Sequence, residues 1–143
     1  MNDVRFSIPG EPKGKGRPRV VNRGGFSQAF TPKDTVQYEN LVRVEYQNQT
    51  GSKRFSDDAM LDMRIIAYYS IPKSDSKRKR EAKLDGTLRP TKKPDLDNLV
   101  KIIADSLNEL AYYDDAQIVD VQCRKFYSDR PRVEVRIREI AKE

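Results

Sequence analysis

Apolar and polar positions alternate at the start of the chain: Val4, Phe6 and Ile8 predict a short strand that Pro9-Gly10 ends. A second extended piece is predicted through Phe26 to Phe30. Thr31-Pro32 then breaks the chain, and Asp34 or Thr35 is the expected cap of a helix running to about Gln49. Its expected buried stripe is Val36, Tyr38, Leu41, Val42, Val44 and Tyr46, a loose fit to the helical period. Beyond Gly51-Ser52, Leu61, Met63, Ile65, Ala67 and Tyr69 keep a period of two, so Met60 to Ile71 reads as a strand stopped by Pro72.

The clearest helix follows Pro94, where Leu96, Leu99, Val100, Ile103, Leu107 and Leu110 share one face. Ile118 to Tyr127 and Arg132 to Ile140 read as strands, with Asp129-Arg130-Pro131 turning between them, and an antiparallel hairpin is expected. The order β-(β)-α-β-α-β-β predicts an α+β fold: one domain over residues 1–143, with two main helices against a mixed sheet. Two stretches resist the pattern. PKGKGRPR, Pro12 to Arg19, is too punctuated by proline and glycine for a helix or a central strand. Residues 73 to 93 are dominated by Lys and Arg, with Ala82, Leu84 and Leu88 as their apolar members, and predict a mobile or partly helical surface excursion.

Charge changes this picture more than size does. The net charge of +6 and pI near 9.4 favour a polyanionic partner. A membrane surface fits less well than nucleic acid, since no basic amphipathic helix is flanked by large apolar residues. No apolar run approaches the roughly 20 residues that cross a bilayer. The first residues lack the apolar run of a secretory signal, and the single Cys123 forms no internal disulfide, so a cytoplasmic location is expected. Cys123 itself is expected to be a small buried strand residue.

The chain has no histidine. That removes Ser-His-Asp and Cys-His catalysis, His-ligated zinc hydrolases and, with one cysteine, structural zinc. Metal chemistry would have to rest on carboxylates and carbonyls, which select hard cations such as Mg²⁺, with Mn²⁺ as a substitute.

Candidate ligands occur in KKPDLDNLVK, Lys92 to Lys101. Asp95 and Asp97 stand where extended chain becomes helix and can lean toward one point. Asp114-Asp115 closes the far end, and could return to the first pair if the helix packs back on the sheet. A hard cation held there would polarise a phosphoryl oxygen and neutralise a leaving oxyanion. The plainer alternatives are a helix cap, an exposed Asp97-Lys101-Asp105 ladder and a polar turn. Spacing leaves Asp114 and Asp115 equivalent.

PDLDNLVKIIADSLNELAYYDDAQIVD, Pro94 to Asp120, resembles the signature of the RusA family of Holliday junction resolvases of bacteria and their phages. A D-L-D-N-L-x-K block joins a D-D-A-Q-I-V-D block across one helix, and K-G-x-x-R-P-R at Lys13 to Arg19 adds weaker similarity. The resemblance implies a homodimeric, metal-dependent endonuclease that nicks two strands of a four-way DNA junction symmetrically, in recombination and repair. By position it makes Asp95, Asp97 and Asp115 the metal-binding carboxylates and Lys101 the catalytic lysine, with Asn98 and Gln117 shaping the loops. The basic excursion has no counterpart in the family pattern, and the glycines near Lys15 exceed it.

Beside such a signature, Lys13, Lys15, Arg17, Arg19, Lys77 and Arg78 become candidate DNA contacts, with Arg23, Lys79 and Arg80 nearby. Glycines at 14 and 16 are expected to let backbone N–H groups approach a phosphate. Of Tyr112 and Tyr113, at least one is expected in the core. The competing functions are a branched-DNA-binding module without activity and, more remotely, an RNA-processing nuclease.

Overall fold

The computed structural model describes residues 2–16, 19–30 and 32–141, with the backbone alone over 19–23 and 26–30. Its elements are β1 (Asp3–Pro9), β2 (Arg19–Arg23), β3 (Phe26–Phe30), α1 (Lys33–Thr50), β4 (Leu61–Tyr69), α2 (Lys77–Leu84), α3 (Leu96–Ser106), a 3-10 turn (Asp115–Gln117), β5 (Ile118–Tyr127) and β6 (Arg132–Glu139). Four strands form one mixed sheet in the order β1-β6-β4-β5, while β2 and β3 pair apart as a hairpin. Gly24 and Gly25 turn that hairpin at positive φ, where glycine carries no steric penalty. The predicted α+β class is what the chain adopts.

The expected hairpin of the last two strands is not formed. β5 lies parallel to β4, and β6 is antiparallel to both β4 and β1, so β4 separates β5 from β6. The turn lies where expected, but residues 128–131 pass over the end of β4, and Ser128 N–H donates to the Tyr69 carbonyl at 2.9 Å. A parallel pair needs a long crossover. The chain between β4 and β5 supplies it through α2 and α3, with α3 returning from the end of β4 toward the start of β5.

One face of the sheet carries the core. Val4, Phe6 and Ile8 of β1, Leu61, Met63, Ile65 and Ala67 of β4, and Val133, Val135 and Ile137 of β6 are buried against α1 and α3. From α3, Leu99, Ile102, Ile103 and Leu107 fill this layer, whereas Leu96 stays exposed on the first turn. The buried stripe of α1 is Thr35, Tyr38, Val42 and Tyr46, and Val36 and Val44 face outward, one step off that stripe. Neither Asp34 nor Thr35 caps α1: Pro32 holds the cap position, and Thr35 turns inward so that its Oγ1 accepts from Gly16 N–H at 3.0 Å.

The basic excursion is built, not loose. Ser76 Oγ accepts from Lys79 N–H and starts α2. Lys83, on the inner side of that helix, is buried, 2.5 Å from Asp75 and 4.6 Å from the Tyr127 ring centre. A buried ammonium survives only with such partners, and this one pins α2 to β5.

Candidate active site

Asp95 stands at the cap position of α3 in extended backbone, but its side chain makes no capping hydrogen bond. The carboxylate expected to cap the helix is therefore free of it, and Asp95, Asp97 and Lys101 are all exposed. The loop before Asp95 is held from below. Tyr69 Oη donates to the Pro94 carbonyl at 2.6 Å, and Lys125 Nζ donates to the Lys92 carbonyl at 2.5 Å. Burial, followed by the nearby Cys123, Asp95 and Glu11, pushes the Tyr69 hydroxyl well above its ordinary range, so it remains a donor.

The GKG segment packs across the first turn of α3. Lys15 N–H donates to the Asn98 carbonyl at 3.2 Å. A Cβ at Gly14 would lie 2.9 Å from both Pro94 Cβ and Asn98 Cβ, and one at Gly16 would lie 2.5 Å from Thr35 Oγ1. The glycines thus admit this strap to the protein's own helix, and Asn98 serves as its floor. Lys15 turns inward: its Nζ is 2.8 Å from Glu39 and 3.6 Å from Asp105. Burial opposes the charge, but Glu39 and then Asp105 outweigh it and hold the ammonium above its usual range. Of the other basic candidates, Lys13, Lys77 and Arg78 face solvent. Arg17 lies outside the described residues, as do the side chains of Arg19 and Arg23.

At the other end of α3 the structure separates the two aspartates that spacing left equivalent. Asp114 caps the 3-10 turn, accepting from Ala116 N–H at 2.9 Å. Gln117 completes this capping box by accepting from Asp114 N–H, and donates to the carbonyls of Ser56 and Ala59. Asp115 has no such duty. Its N–H is held by Asn108 Oδ1 at 2.8 Å, while its side chain meets Asp105. Burial, then the shared hydrogen bond and charge of Asp105, then Asp114, raise its carboxyl above the ordinary carboxylate range. Tyr112 is buried beneath, its Oη donating to the Ala104 carbonyl at 2.7 Å, and Tyr113 is exposed. Cys123 is partly buried, its thiol pushed up to about 11 by burial.

Asp95 and Asp97 therefore open at one end of α3 and Asp115 at the other. Asp97 and Asp105 are eight residues apart in sequence, about 12 Å along a helix axis. Among the described residues no three His, Cys, Asp or Glu side chains are grouped closely enough to hold one metal ion. The hard oxygen donors suit Mg²⁺ or Mn²⁺ in kind, but one protomer does not converge them. Asp105, Glu39 and Tyr69 join the site without having been singled out. The Asp97-Lys101-Asp105 ladder was the signal for Asp105; nothing local marks the other two.

A family model described as endodeoxyribonuclease RusA matches residues 9–138. The uncharacterized protein YqaN of Bacillus subtilis (strain 168) is 39% identical over 143 residues, covering 99% of each chain. The crossover junction endodeoxyribonuclease rusA of Lactococcus phage r1t is 25% identical over 139 residues, covering 96% of this chain and 98% of the phage protein.

Proposed function

From the premise that this chain belongs to the RusA endodeoxyribonuclease family, we propose that it resolves four-way DNA junctions by paired symmetric nicks, as a homodimer dependent on Mg²⁺. Family membership supports a nuclease of the Holliday junction resolvase kind. The observation that carries the finer reading is that the fold leaves Asp95 and Asp115 free of capping duty. Asp95 occupies a cap position without capping, and Asp115 faces Asp105 while its neighbour Asp114 caps.

In this reading Asp95 and Asp97 at one end of α3 and Asp115 at the other are the carboxylates that would hold the cation, which would supply Lewis acidity toward the scissile phosphate. Lys101, one turn along α3 from Asp97 and exposed, stabilises negative charge developing on that phosphate. Asn98 and Gln117 hold the strap and the 3-10 turn in place. Lys13, Lys77 and Arg78 contact phosphates without reading sequence, so binding weakens steeply with salt.

The test incubates purified protein with labelled four-way junction or linear duplex, with and without Mg²⁺. Paired nicks are expected in the junction alone, lost in Asp95→Asn and Asp97→Asn while junction binding persists. Lys101→Ala is expected to lose rate more than affinity. Cleavage that survives both aspartate substitutions would overturn the site. Binding without cleavage in either Mg²⁺ or Mn²⁺ would favour the second reading, a branched-DNA-binding module, which the exposed basic surface of α2 also suits.

A further inference from the structure

The side chain of Asp95 makes no capping bond, so its place depends on the backbone that carries it. On one side that backbone is helix: the Asp95 carbonyl accepts from Leu99 N–H at 3.0 Å as α3 begins. On the other side, residues 91–94 belong to no helix or strand. An irregular turn keeps one shape only where its surroundings hold it, and a functional side chain needs that shape kept.

Two side chains reach this turn from the sheet. Tyr69, buried at the end of β4, donates to the Pro94 carbonyl, and Lys125, half-buried on β5, donates to the Lys92 carbonyl. The two donors stand on adjacent parallel strands, where Ala67 faces Lys125 and Tyr69 faces Tyr127. That offset brings the Lys125 ammonium 5.0 Å from the Tyr69 ring centre, a favourable cation–π contact. Lys125 is fastened in turn, its carbonyl accepting from Arg89 Nε at 2.9 Å. From the opposite side the GKG strap presses on Pro94, leaving no room for a Cβ at Gly14.

Stability alone does not ask for the Lys125 bond. Lys92 is exposed, and its carbonyl could take a bond from water, whereas ordering a lysine side chain costs conformational entropy. What the bond adds is a fixed position three residues before Asp95. Asp95 in turn lies near enough to Tyr69 for its charge to act on the Tyr69 hydroxyl.

We propose that Tyr69 and Lys125 are positioning residues of the nuclease, which hold the turn at residues 92–94 so that Asp95 meets a divalent cation in a fixed place. This deepens the metal-dependent reading above and rests on it. Both residues act through the Asp95 backbone. Groups that orient metal ligands typically matter by roughly ten- to a hundredfold in metal affinity or rate.

The test reads metal binding directly, from the electron paramagnetic resonance signal of free Mn²⁺ titrated against the protein without DNA. Single-turnover junction nicking in Mg²⁺ is measured alongside. Tyr69→Phe keeps the ring and removes the donor, and Lys125→Met keeps the stem and removes the ammonium. Each should weaken Mn²⁺ binding roughly tenfold and slow nicking at least as much. Lys125→Arg, which can still donate, should recover most of the loss. Tyr46→Phe is the control: Tyr46 is equally buried and its hydroxyl donates to another loop carbonyl, that of Lys53. It should lose stability and keep its Mn²⁺ affinity. In an Asp95→Asn background, Tyr69→Phe should weaken Mn²⁺ binding no further.

Mn²⁺ affinity unchanged in both donor variants, or lowered equally by Tyr46→Phe, would overturn the positioning role and leave the nuclease reading intact. An additional loss in the Asp95→Asn background would overturn the action through Asp95. Should Tyr69→Phe fail to fold by circular dichroism, Lys125→Met and Lys125→Arg decide the matter between them. A wild type that neither binds Mn²⁺ nor nicks the junction would overturn the metal-dependent reading itself.

Discussion

On the outer face of the sheet, acids meet arginines. Asp62 accepts from Arg64 at 2.9 Å and from Arg138 at 3.0 Å, Asp3 pairs with Arg136 at 3.0 Å, and Glu134 with Arg132 at 3.0 Å. At the far end of α3, acid meets acid: Asp115 shares a hydrogen bond with Asp105 beside Asp114, and Lys15, paired mainly with Glu39, reaches Asp105 at 3.6 Å. The carboxyls respond in opposite directions. Bonds from Arg64, against burial and with help from Arg138, hold Asp62 below its usual range, whereas Asp115 is held above it. Charge on Asp62 therefore supports the fold, and charge on Asp115 opposes it. An acid kept at a disadvantage inside its own protein marks a place where something other than stability has set the residue.

The sharpest way to break this contrast is to neutralise each acid. Asp115→Asn should lower junction nicking by roughly a thousandfold, the scale of a lost electrostatic contributor at an active site. It should also raise the melting temperature by roughly 2 °C, since relief of a partly exposed like-charge contact is worth about 0.5 kcal/mol. Asp62→Asn should do the reverse, losing about 2 kcal/mol of stability because two arginines lose a charged acceptor, with little change in nicking per folded molecule. Thermal melts and single-turnover nicking of the two variants check both signs. A destabilised Asp115→Asn would erase the distinction.

Titration provides a finer test. The stabilisation from Asp62, whose folded pKa is depressed, is present above the unfolded value near 4 and lost as pH falls through the folded one. Asp115 has a raised folded pKa, so its penalty appears as pH rises through that value. The stability advantage of Asp115→Asn should accordingly grow above pH 4 and then level off. Asp105→Asn removes the neighbouring charge, so in its background the stability gain from Asp115→Asn without metal should shrink; an unchanged gain would mean that Asp105 does not set the Asp115 titration.

The smallest expected effect separates the basic residues. Lys13→Ala should weaken junction binding and reduce its salt slope by about one. Lys15→Met should leave that slope unchanged and lower the melting temperature by roughly 2 °C, through loss of a partly exposed pair worth about 0.5 kcal/mol. Salt titrations by gel shift decide between them.

Such differences show what could be read from the chain. The 3.6-residue period placed α3, and the two-residue period placed β4 and β6, because burying one face constrains residue type along the whole element. Strand neighbours were not legible: a turn at residues 128–131 looks the same whether or not β4 passes between its arms. Nor does a lysine declare its target, and Lys15, offered as a phosphate contact, turned toward Glu39 only because Gly14 and Gly16 admit the strap to the helices. Asp114 and Asp115 parted company through the Ala116 N–H, a backbone group without a sequence signal. The convergence of Asp95, Asp97 and Asp115, which spacing allowed within one chain, is absent because α3 spans the sheet.

The sheet order has a consequence for how the protein comes into being. β6 lies between β1 and β4 and pairs with both, so the first strand synthesised has no neighbour in the main sheet until residues 132–139 have left the ribosome. Pairing across nearly the whole chain is slow to form. The nascent chain can build α1 and α3 early, but the sheet beneath them closes last, and a chain stopped before Arg132 would carry every proposed catalytic residue without a completed sheet to hold them.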